Sequence, residues 1–256
     1  MSFRGIIREM RRFLTRDYVV IARKQHGESW VAAFDKGTGQ ICWKSSRNYE
    51  TAVEGDDAYT TPLVIDHHRK EALLVWGAEH VTAHHPSDSR LVWSCGGFNA
   101  QAVPNWPAVA SPVIAGDVVV VAGGRADIGR PRLYGIRLGG TGDVTTTHRL
   151  WKREDTGTYV STPAEYKGRI YLLRDRGEVE CLDPISGKTL WREVFPKASS
   201  RYYTSPLVPG GVLYAIREDG VVFVAGVEGR FEILAENHMV ERIKSSPRRL
   251  LYQIGC

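Results

Sequence analysis

The sequence predicts an all-β protein, a β-propeller of four-stranded blades with about five blades visible in the chain, and leaves open whether that propeller is incomplete. The first observation behind this prediction is a Ser/Thr-Pro dipeptide that recurs in steps of 50, 51, 43 and 41 residues. Steps of this size are typical of propeller blades. The dipeptides are Thr61-Pro62, Ser111-Pro112, Thr162-Pro163, Ser205-Pro206 and Ser246-Pro247.

A recurring tryptophan is the second observation, and it keeps the same period. The four are Trp43, Trp93, Trp151 and Trp191. Each ends a turn-forming cluster and a short strand, as in DPISGKTLW, where Asp and Gly favour chain reversal. We predict that these are structural residues on the outer strands, with large apolar rings buried between neighbouring blades. In the fifth unit Phe231 and Ile233 occupy this stretch.

Each unit contains four strand-like segments, which is the third observation. In the fourth unit they read STPAEY, GRIYLLRD, GEVECLD and KTLWREV, rich in alternating apolar, β-branched and aromatic residues between Gly and Asp punctuation. We therefore divide the chain into an N-terminal extension, 1–16, and a propeller domain, 17–256. The predicted blades are 17–50, 58–100, 109–155, 160–198 and 203–240, followed by a terminal strand, 244–256.

The two ends of this pattern are complementary. Residues 17–46 supply only three strands, without a Ser/Thr-Pro strand before them, and the C-terminal segment supplies one such strand. Either the last strand completes the first blade and closes a five-bladed ring, or the chain is a fragment with further blades elsewhere. The sequence favours the fragment.

Composition excludes several classes of protein. The net charge is +5, from 34 basic and 29 acidic residues, and no Lys/Arg block alternates with aromatics, so we predict no nucleic-acid partner. No apolar run is long enough for a membrane-spanning helix. The start, MSFRGIIREMRRFLTRD, does not read as a secretory signal, so a signal for an exported protein would lie outside this sequence. The four cysteines are far apart, which excludes a local zinc knuckle or dithiol motif.

The segments AAFDKGTGQICW and ECLDPISGKTLW resemble the pyrroloquinoline-quinone-like (PQQ-like) repeat family, over about residues 17–234. The resemblance implies a propeller fold and an exported or periplasmic setting. The family includes quinone-dependent dehydrogenases, scaffold lipoproteins of outer-membrane assembly and sensor domains of signalling proteins. Two units depart from the pattern, because HHPSDS and GGTGDVTTTH replace the Asp-x-x-Thr-Gly cluster, and we expect irregular corners there.

The dehydrogenases of that family carry a vicinal Cys-Cys pair and an acidic and amide set for calcium, and this sequence has no Cys-Cys pair. We therefore predict a non-enzymatic, protein-binding or scaffold propeller with no catalytic, cofactor-binding or metal-binding residues and another protein as its partner. The alternatives are a fragment of a quinone-dependent dehydrogenase and the sensor domain of a larger signalling protein. The oligomeric state is not predicted.

Five histidines in the second unit are a candidate metal site. They are His67, His68, His80, His84 and His85. In an extended strand His80, Thr82 and His84 would share one face, and zinc or copper could use such a pair. We interpret HHRK and HHPSDS instead as solvated turns and expect no metal. The Gly-rich stretches AGGRADIG and LGGTGD fit no phosphate-loop motif and are interpreted as hairpin turns.

Aromatic and polar residues just before the Ser/Thr-Pro strands are a candidate binding rim. If these strands are innermost, the residues would surround one mouth of the central channel, with a composition favoured at binding hot spots. They are Tyr59, Asn105, Trp106, Tyr159, Arg201, Tyr202 and Tyr203.

Overall fold

The computed structural model describes residues 10–14 and 18–239, which form five consecutive antiparallel sheets, one for each predicted unit. Sheet 1 consists of β1 (Met10–Leu14), β2 (Tyr18–Arg23), β3 (Trp30–Asp35) and β4 (Ile41–Ser46). Sheet 2 consists of β5 (Leu63–His67), β6 (Lys70–Gly77), β7 (His80–His84) and β8 (Leu91–Cys95).

The remaining sheets follow the same up-and-down order. Sheet 3 consists of β9 (Val113–Ala115), β10 (Val118–Arg125), β11 (Arg130–Arg137) and β13 (Arg149–Arg153), while β12 (Gly142–Asp143) joins sheet 2. Sheet 4 consists of β14 (Ala164–Tyr166), β15 (Arg169–Leu173), β16 (Glu178–Leu182) and β17 (Thr189–Val194). Sheet 5 consists of β18 (Val212–Ile216), β19 (Val221–Gly226) and β20 (Glu232–His238).

The Ser/Thr-Pro dipeptides of successive units are joined by hydrogen bonds. The backbone N–H of Thr61 donates to the Ser111 hydroxyl at 2.9 Å, and the N–H of Ser111 donates to the Thr162 hydroxyl at 2.9 Å. The N–H of Thr162 donates in turn to the Ser205 hydroxyl at 3.0 Å. This ladder places the Pro-containing segments on the inside of the propeller and explains why a hydroxyl residue recurs there.

The four tryptophans occupy one register position in successive sheets. The cross-strand pairs are Trp43 with Ala33, Trp93 with Ala83, Trp151 with Gly135, and Trp191 with Cys181. A β-bulge follows each pair directly. The partner is small in every pair, and at Gly135 even a Cβ atom would overlap the Trp151 indole. In sheet 5 the equivalent position is Ala235, beside the corresponding bulge.

Each tryptophan packs in the apolar layer between its own sheet and the next one, although only Trp93 is fully buried. Trp43, Trp151 and Trp191 are half-buried, which is less than the sequence led us to expect, because the fourth strand forms the outer edge of its sheet. The indole N–H of Trp43 donates to the Pro86 carbonyl of the next unit at 2.8 Å. Trp151 does the same with Pro184, also at 2.8 Å.

Four apolar clusters join sheet 1 to sheet 2, sheet 2 to sheet 3, sheet 3 to sheet 4 and sheet 4 to sheet 5. Within residues 10–14 and 18–239, no such cluster joins sheet 5 to sheet 1. The predicted terminal strand, 244–256, lies outside the described residues, and the first-strand place in sheet 1, which that strand would take in a closed ring, is occupied by β1. The core therefore runs as a series of layers between successive sheets.

Sheet 1 has a strand that the sequence did not predict. Met10–Leu14 lies within the predicted N-terminal extension, 1–16, yet it pairs with β2 over five residues. Sheet 1 is thus a four-stranded sheet rather than the three strands expected from residues 17–46. The strand escaped prediction because it lacks the Ser/Thr-Pro marker of the other first strands.

The outer corner of the second unit is regular, contrary to our expectation from HHPSDS. His85 and Ser89 take the places that Asp183 and Gly187 have in the fourth unit, with the same closing backbone hydrogen bond of 3.0 Å against 2.8 Å. Ser89 has a φ of +62°, close to the +68° of Gly187. A serine at positive φ therefore preserves the turn at the expense of some backbone strain.

The corner of the third unit is irregular, as expected. Gly135 and Trp151 are 16 positions apart, whereas Cys181 and Trp191 are 10 apart. The extra residues include β12, which adds a parallel strand to the edge of sheet 2. Because this insertion replaces the regular corner, the buried indole N–H of Trp93 has no hydrogen-bond partner among residues 10–14 and 18–239.

Candidate functional site

The antiparallel order of the strands gives the propeller two different faces. One face, here called the loop face, carries the connections between sheets and the hairpin tips between the second and third strands. The opposite face, here called the corner face, carries the hairpins between first and second strands and the outer corners. The predicted rim residues precede the inner strands and so belong to the loop face.

The structure separates the seven predicted rim residues into two groups. Tyr59, Tyr159, Arg201 and Tyr203 are half-buried and Asn105 is exposed, so all five are accessible on the loop face. Trp106 and Tyr202 are buried instead. The Trp106 ring packs below Arg132, and Tyr202 belongs to the core between sheets 4 and 5 beside Phe195 and Phe223. These two rings support the loops and offer no surface to a partner.

An arginine that sequence reasoning missed connects the accessible rim residues. The Arg125 guanidinium lies over the Tyr159 ring, 4.9 Å from its centroid, and donates to the Asn105 carbonyl at 3.2 Å. Asp127 accepts two hydrogen bonds from the same guanidinium, at 2.9 and 2.8 Å. This bidentate pair raises the pKa of Arg125 and lowers the pKa of Asp127.

Charged groups of the next two units continue this surface. Burial raises the pKa of Asp175, and the negative charge of Asp127 adds to the effect, while Arg201 opposes it. Burial also raises the pKa of Tyr203, with contributions from Glu218 and Asp175. These groups interact through space although they come from different sheets. The rim cluster comprises Tyr59, Asn105, Arg125, Asp127, Tyr159, Asp175, Arg201 and Tyr203.

Two exposed aliphatic side chains lie beside the rim cluster. Val53 is 71% exposed, and its carbonyl accepts a hydrogen bond from the Asn105 N–H at 2.8 Å. Ile128 is 61% exposed and follows Asp127 in a short 3₁₀ turn at the tip of the β10–β11 hairpin. The segment AGGRADIG is thus a hairpin turn, as the sequence indicated. Its side chains also extend the rim, and no sequence motif predicted this.

The five histidines of the second unit separate into two places. His80 stacks on Tyr49, with ring centroids 3.9 Å apart, and the His84 Nε2 lies 2.9 Å from the Thr82 hydroxyl. His67, His68 and His85 lie on the corner face instead, around one cavity. Within residues 10–14 and 18–239, no group of three or more His, Cys, Asp or Glu side chains has a geometry that could hold a metal ion.

Acidification is expected to destabilise the protein through His84. Burial lowers the pKa of His84 to about 4, below its ordinary 6.5, so the folded state prefers the neutral ring. The preference of the folded state for a neutral His84 contributes about 3 kcal/mol to the free energy of unfolding. This contribution is fully present above pH 6.5 and is lost as the pH falls from 6.5 towards 4. His67 and His80, whose pKa values burial also lowers, act in the same direction.

Urea unfolding at neutral and acidic pH measures this effect. We expect His84→Gln to show a flatter pH dependence of the free energy of unfolding than the unchanged protein. His26→Gln is the control, because the His26 side chain is 94% exposed. An equal pH dependence in His84→Gln and the unchanged protein would contradict the prediction.

The quinone site of the dehydrogenases does not fit this chain's residues. That branch of the family implies two adjacent cysteines, but Cys95 and Cys181 are buried in different sheets and Cys42 is exposed in a third. Burial raises the pKa of both buried thiols. Among the residues that the structure covers, no helix is long and apolar enough to cross a membrane.

The fold and the repeat define a β-propeller of the PQQ-like class. The profile of the family described as outer membrane protein assembly factor BamB matches residues 12–193 and 143–230, so the chain belongs to this PQQ-like repeat family. No match was found among the curated protein sequences.

Solved structures of two kinds share the fold. BamB from Moraxella catarrhalis is 16% identical, with a TM-score of 0.61 over 89% of this chain and 63% of that chain. Quinohemoprotein alcohol dehydrogenase from Comamonas testosteroni is 13% identical, with a TM-score of 0.68 over 90% of this chain and 43% of that chain. A europium-containing methanol dehydrogenase is 11% identical, with a TM-score of 0.65 over 91% and 52%. The chain therefore spans less than two thirds of each.

Proposed function

We propose that this domain is a non-enzymatic scaffold that binds another protein through the rim cluster on its loop face. The observation that carries the proposal is the combination of the Arg125–Tyr159 stack with the exposed aliphatic side chains of Val53 and Ile128. Tyrosine and arginine are among the residues that most often dominate the binding energy at protein interfaces, and exposed aliphatic side chains add apolar area that a partner can bury. The family match to an assembly factor supports a protein partner.

The alternative function is part of a quinone-dependent dehydrogenase, which the structural similarity to two alcohol-oxidising enzymes favours. The lack of adjacent cysteines and of a three-ligand metal cluster among residues 10–14 and 18–239 counts against it. A titration with pyrroloquinoline quinone and calcium, followed by dye-linked alcohol oxidation, separates the two functions. We expect no dye reduction, and quinone-dependent dye reduction would overturn the scaffold proposal.

Site-specific photo-crosslinking in the source organism tests protein binding directly. A photoreactive residue at position 53 or 128 is expected to give a discrete crosslinked protein. The matched control is position 185, because Ile185 is 60% exposed but lies in an outer corner on the opposite face. Arg125→Ala combined with Ile128→Ser should weaken the complex by about 2 kcal/mol or more, a hot-spot loss. Equal crosslinking from position 185, or none from the rim, would contradict the proposal.

A further inference from the structure

A cavity of about 490 Å³ opens on the corner face of sheet 2, away from the rim cluster. Three imidazoles and two cationic side chains line it. They are His67, His68, His85, Lys70 and Arg90. Pockets that hold small molecules have volumes of roughly 300–1,000 Å³.

The cavity lies where two departures from the repeat meet. In sheets 3 and 4 the last cross-strand pair before the turn of the first hairpin is Ala115 with Val118 and Tyr166 with Arg169, respectively. In sheet 2 the equivalent pair is Ile65 with Ala72, and residues 66–71 extend the hairpin beyond it. This extension carries His67, His68 and Lys70.

The second departure is the insertion in the corner of the third unit. The His68 Nε2 lies 2.9 Å from the Gly139 carbonyl of that insertion, and Thr141 lines the cavity. The hairpin extension of sheet 2 and the corner insertion of sheet 3 therefore make one wall together.

The fourth unit fills the equivalent region with an ion pair. Its Arg169 guanidinium pairs with the Asp183 carboxylate at 3.1 Å. Ala72 and His85 occupy the equivalent positions in the second unit, and both line the cavity. The second unit therefore has a methyl group and an imidazole where the fourth unit has a guanidinium and a carboxylate. This difference removes the acid from the first corner position and leaves space beside it.

His67 supplies an independent sign of a ligand. The residue is only 8% exposed, and its Nδ1 has no hydrogen-bond partner in the part of the chain that the structure describes. A buried polar atom without a partner is costly and calls for an explanation. The ring lies against His68, with centroids 4.5 Å apart, so it is held at the cavity wall.

The charges around the cavity favour an anion. Within residues 10–14 and 18–239, neither Lys70 nor Arg90 forms an ion pair. Glu71 is the one carboxylate among the lining residues. Leu91 and Val92 add an apolar wall against which an organic group can lie.

We propose that the cavity is a binding site for a small organic anion, whose phosphate or carboxylate group is held by Lys70, Arg90 and the imidazoles of His67 and His85. Charge-assisted hydrogen bonds from such donors are the strong ones in anion recognition. The volume exceeds the needs of an inorganic ion, so the apolar wall accepts the rest of the molecule. The site is independent of the rim cluster and of the protein-binding function proposed above.

The protonation of His67 supports this assignment. Burial lowers the pKa of His67, and the nearby His68 and His85 add to the effect, while Asp66 opposes it. Lys70 and Arg90 also favour the neutral ring, and Glu71 favours the charged one. A bound anion shifts this balance towards the protonated ring, so the affinity rises as the pH falls.

Calorimetric titration of the full chain with inorganic phosphate, and separately with citrate, tests the site. We expect one saturable site at about pH 6, where imidazoles are partly protonated. Phosphate binding without citrate binding assigns the ligand to phosphorylated compounds, and the reverse assigns it to carboxylates. His85→Asp should weaken binding at least about tenfold yet fold normally, because Asp35 and Asp183 occupy the same corner position.

A second variant and a matched control complete the design. Lys70→Gln with Arg90→Gln should also weaken binding at least about tenfold. Arg169→Gln with Lys188→Gln removes two cations from the corresponding region of the fourth unit and should leave the affinity unchanged. The proposal is overturned by the absence of binding of both probes, by unchanged affinity in both second-unit variants, or by an equal loss in the control.

Discussion

Replacing Trp93 by alanine is expected to lower the free energy of unfolding by about 3–5 kcal/mol. Its side chain is 0% exposed and fills the apolar layer between sheets 2 and 3. The same layer contains Phe98, which contacts Trp76 and Tyr134 edge-to-face at 4.8 and 4.7 Å. Removing the indole leaves a cavity in this layer, and the cost rises with the volume that the surrounding residues do not fill. Urea unfolding followed by circular dichroism measures the change.

Two further variants make this prediction specific. Trp191→Ala should cost less than Trp93→Ala, because Trp191 is half-buried at the outer edge of its sheet. Trp93→Phe should recover much of the loss, because it retains an aromatic ring and removes an indole N–H that has no partner in the described part of the chain. If Trp191→Ala were as damaging as Trp93→Ala, burial between sheets would not be the reason for the repeated tryptophan.

The period of the propeller could be predicted because every unit needs the same two contacts. The hydroxyls of Ser111, Thr162 and Ser205, each just before a proline, accept a hydrogen bond from the preceding unit. The tryptophan faces a small residue next to a β-bulge, as Trp43 faces Ala33. Each contact leaves a local marker, a Ser/Thr-Pro dipeptide or a tryptophan, that recurs every 40 to 58 residues. The pattern therefore predicted most strands but missed β1 and β12, which have no such marker. It also predicted a first strand in the fifth unit, where Leu207 forms only an isolated bridge with Tyr214 and sheet 5 has three strands.

The candidate sites could not be predicted in this way because they depend on contacts between units. Nothing in the sequence shows that Arg125 crosses from a hairpin tip to the Tyr159 ring. The cavity is equally hidden, since it arises where Ala72 and His85 replace an ion pair of another unit. Only the register reveals that these positions correspond. Departures from a repeat are thus visible in sequence, but their meeting point is not.

Buried charges are the other feature that the pattern concealed. Polar residues after a strand are normally solvated, yet Lys24 is buried and donates to the carbonyl and the hydroxyl of Thr60, both at 2.5 Å. Glu180 is also buried, and one of its carboxylate oxygens accepts hydrogen bonds from the Thr156 hydroxyl and the Arg192 guanidinium. Such groups hold neighbouring sheets together through polar contacts rather than through apolar area.

Arg47 is the buried cation whose removal should have the largest effect. It follows β4 of sheet 1 and is 3% exposed, because its guanidinium reaches into sheet 2. There it donates to the carbonyls of Gly77 at 3.0 Å and His80 at 2.8 Å, and to the Thr82 hydroxyl at 3.1 Å. Burial lowers its pKa to about 10, so it remains charged at neutral pH.

Arg47→Ala is therefore expected to cost about 3–4 kcal/mol, because it leaves buried carbonyls without their donor and opens a gap between sheets 1 and 2. Arg47→Lys should cost roughly half as much, since it keeps the charge but loses the planar fork that reaches several acceptors at once. Arg230→Ala is the control, because the Arg230 side chain is 81% exposed and its ion pair with Glu232 lies in solvent. Equilibrium unfolding in urea provides all three values. A loss in the free energy of unfolding below about 1 kcal/mol for Arg47→Ala would contradict this prediction. It would mean that the apolar layer alone joins the first two sheets, and that the hydrogen bonds of the guanidinium only offset the cost of removing it from water.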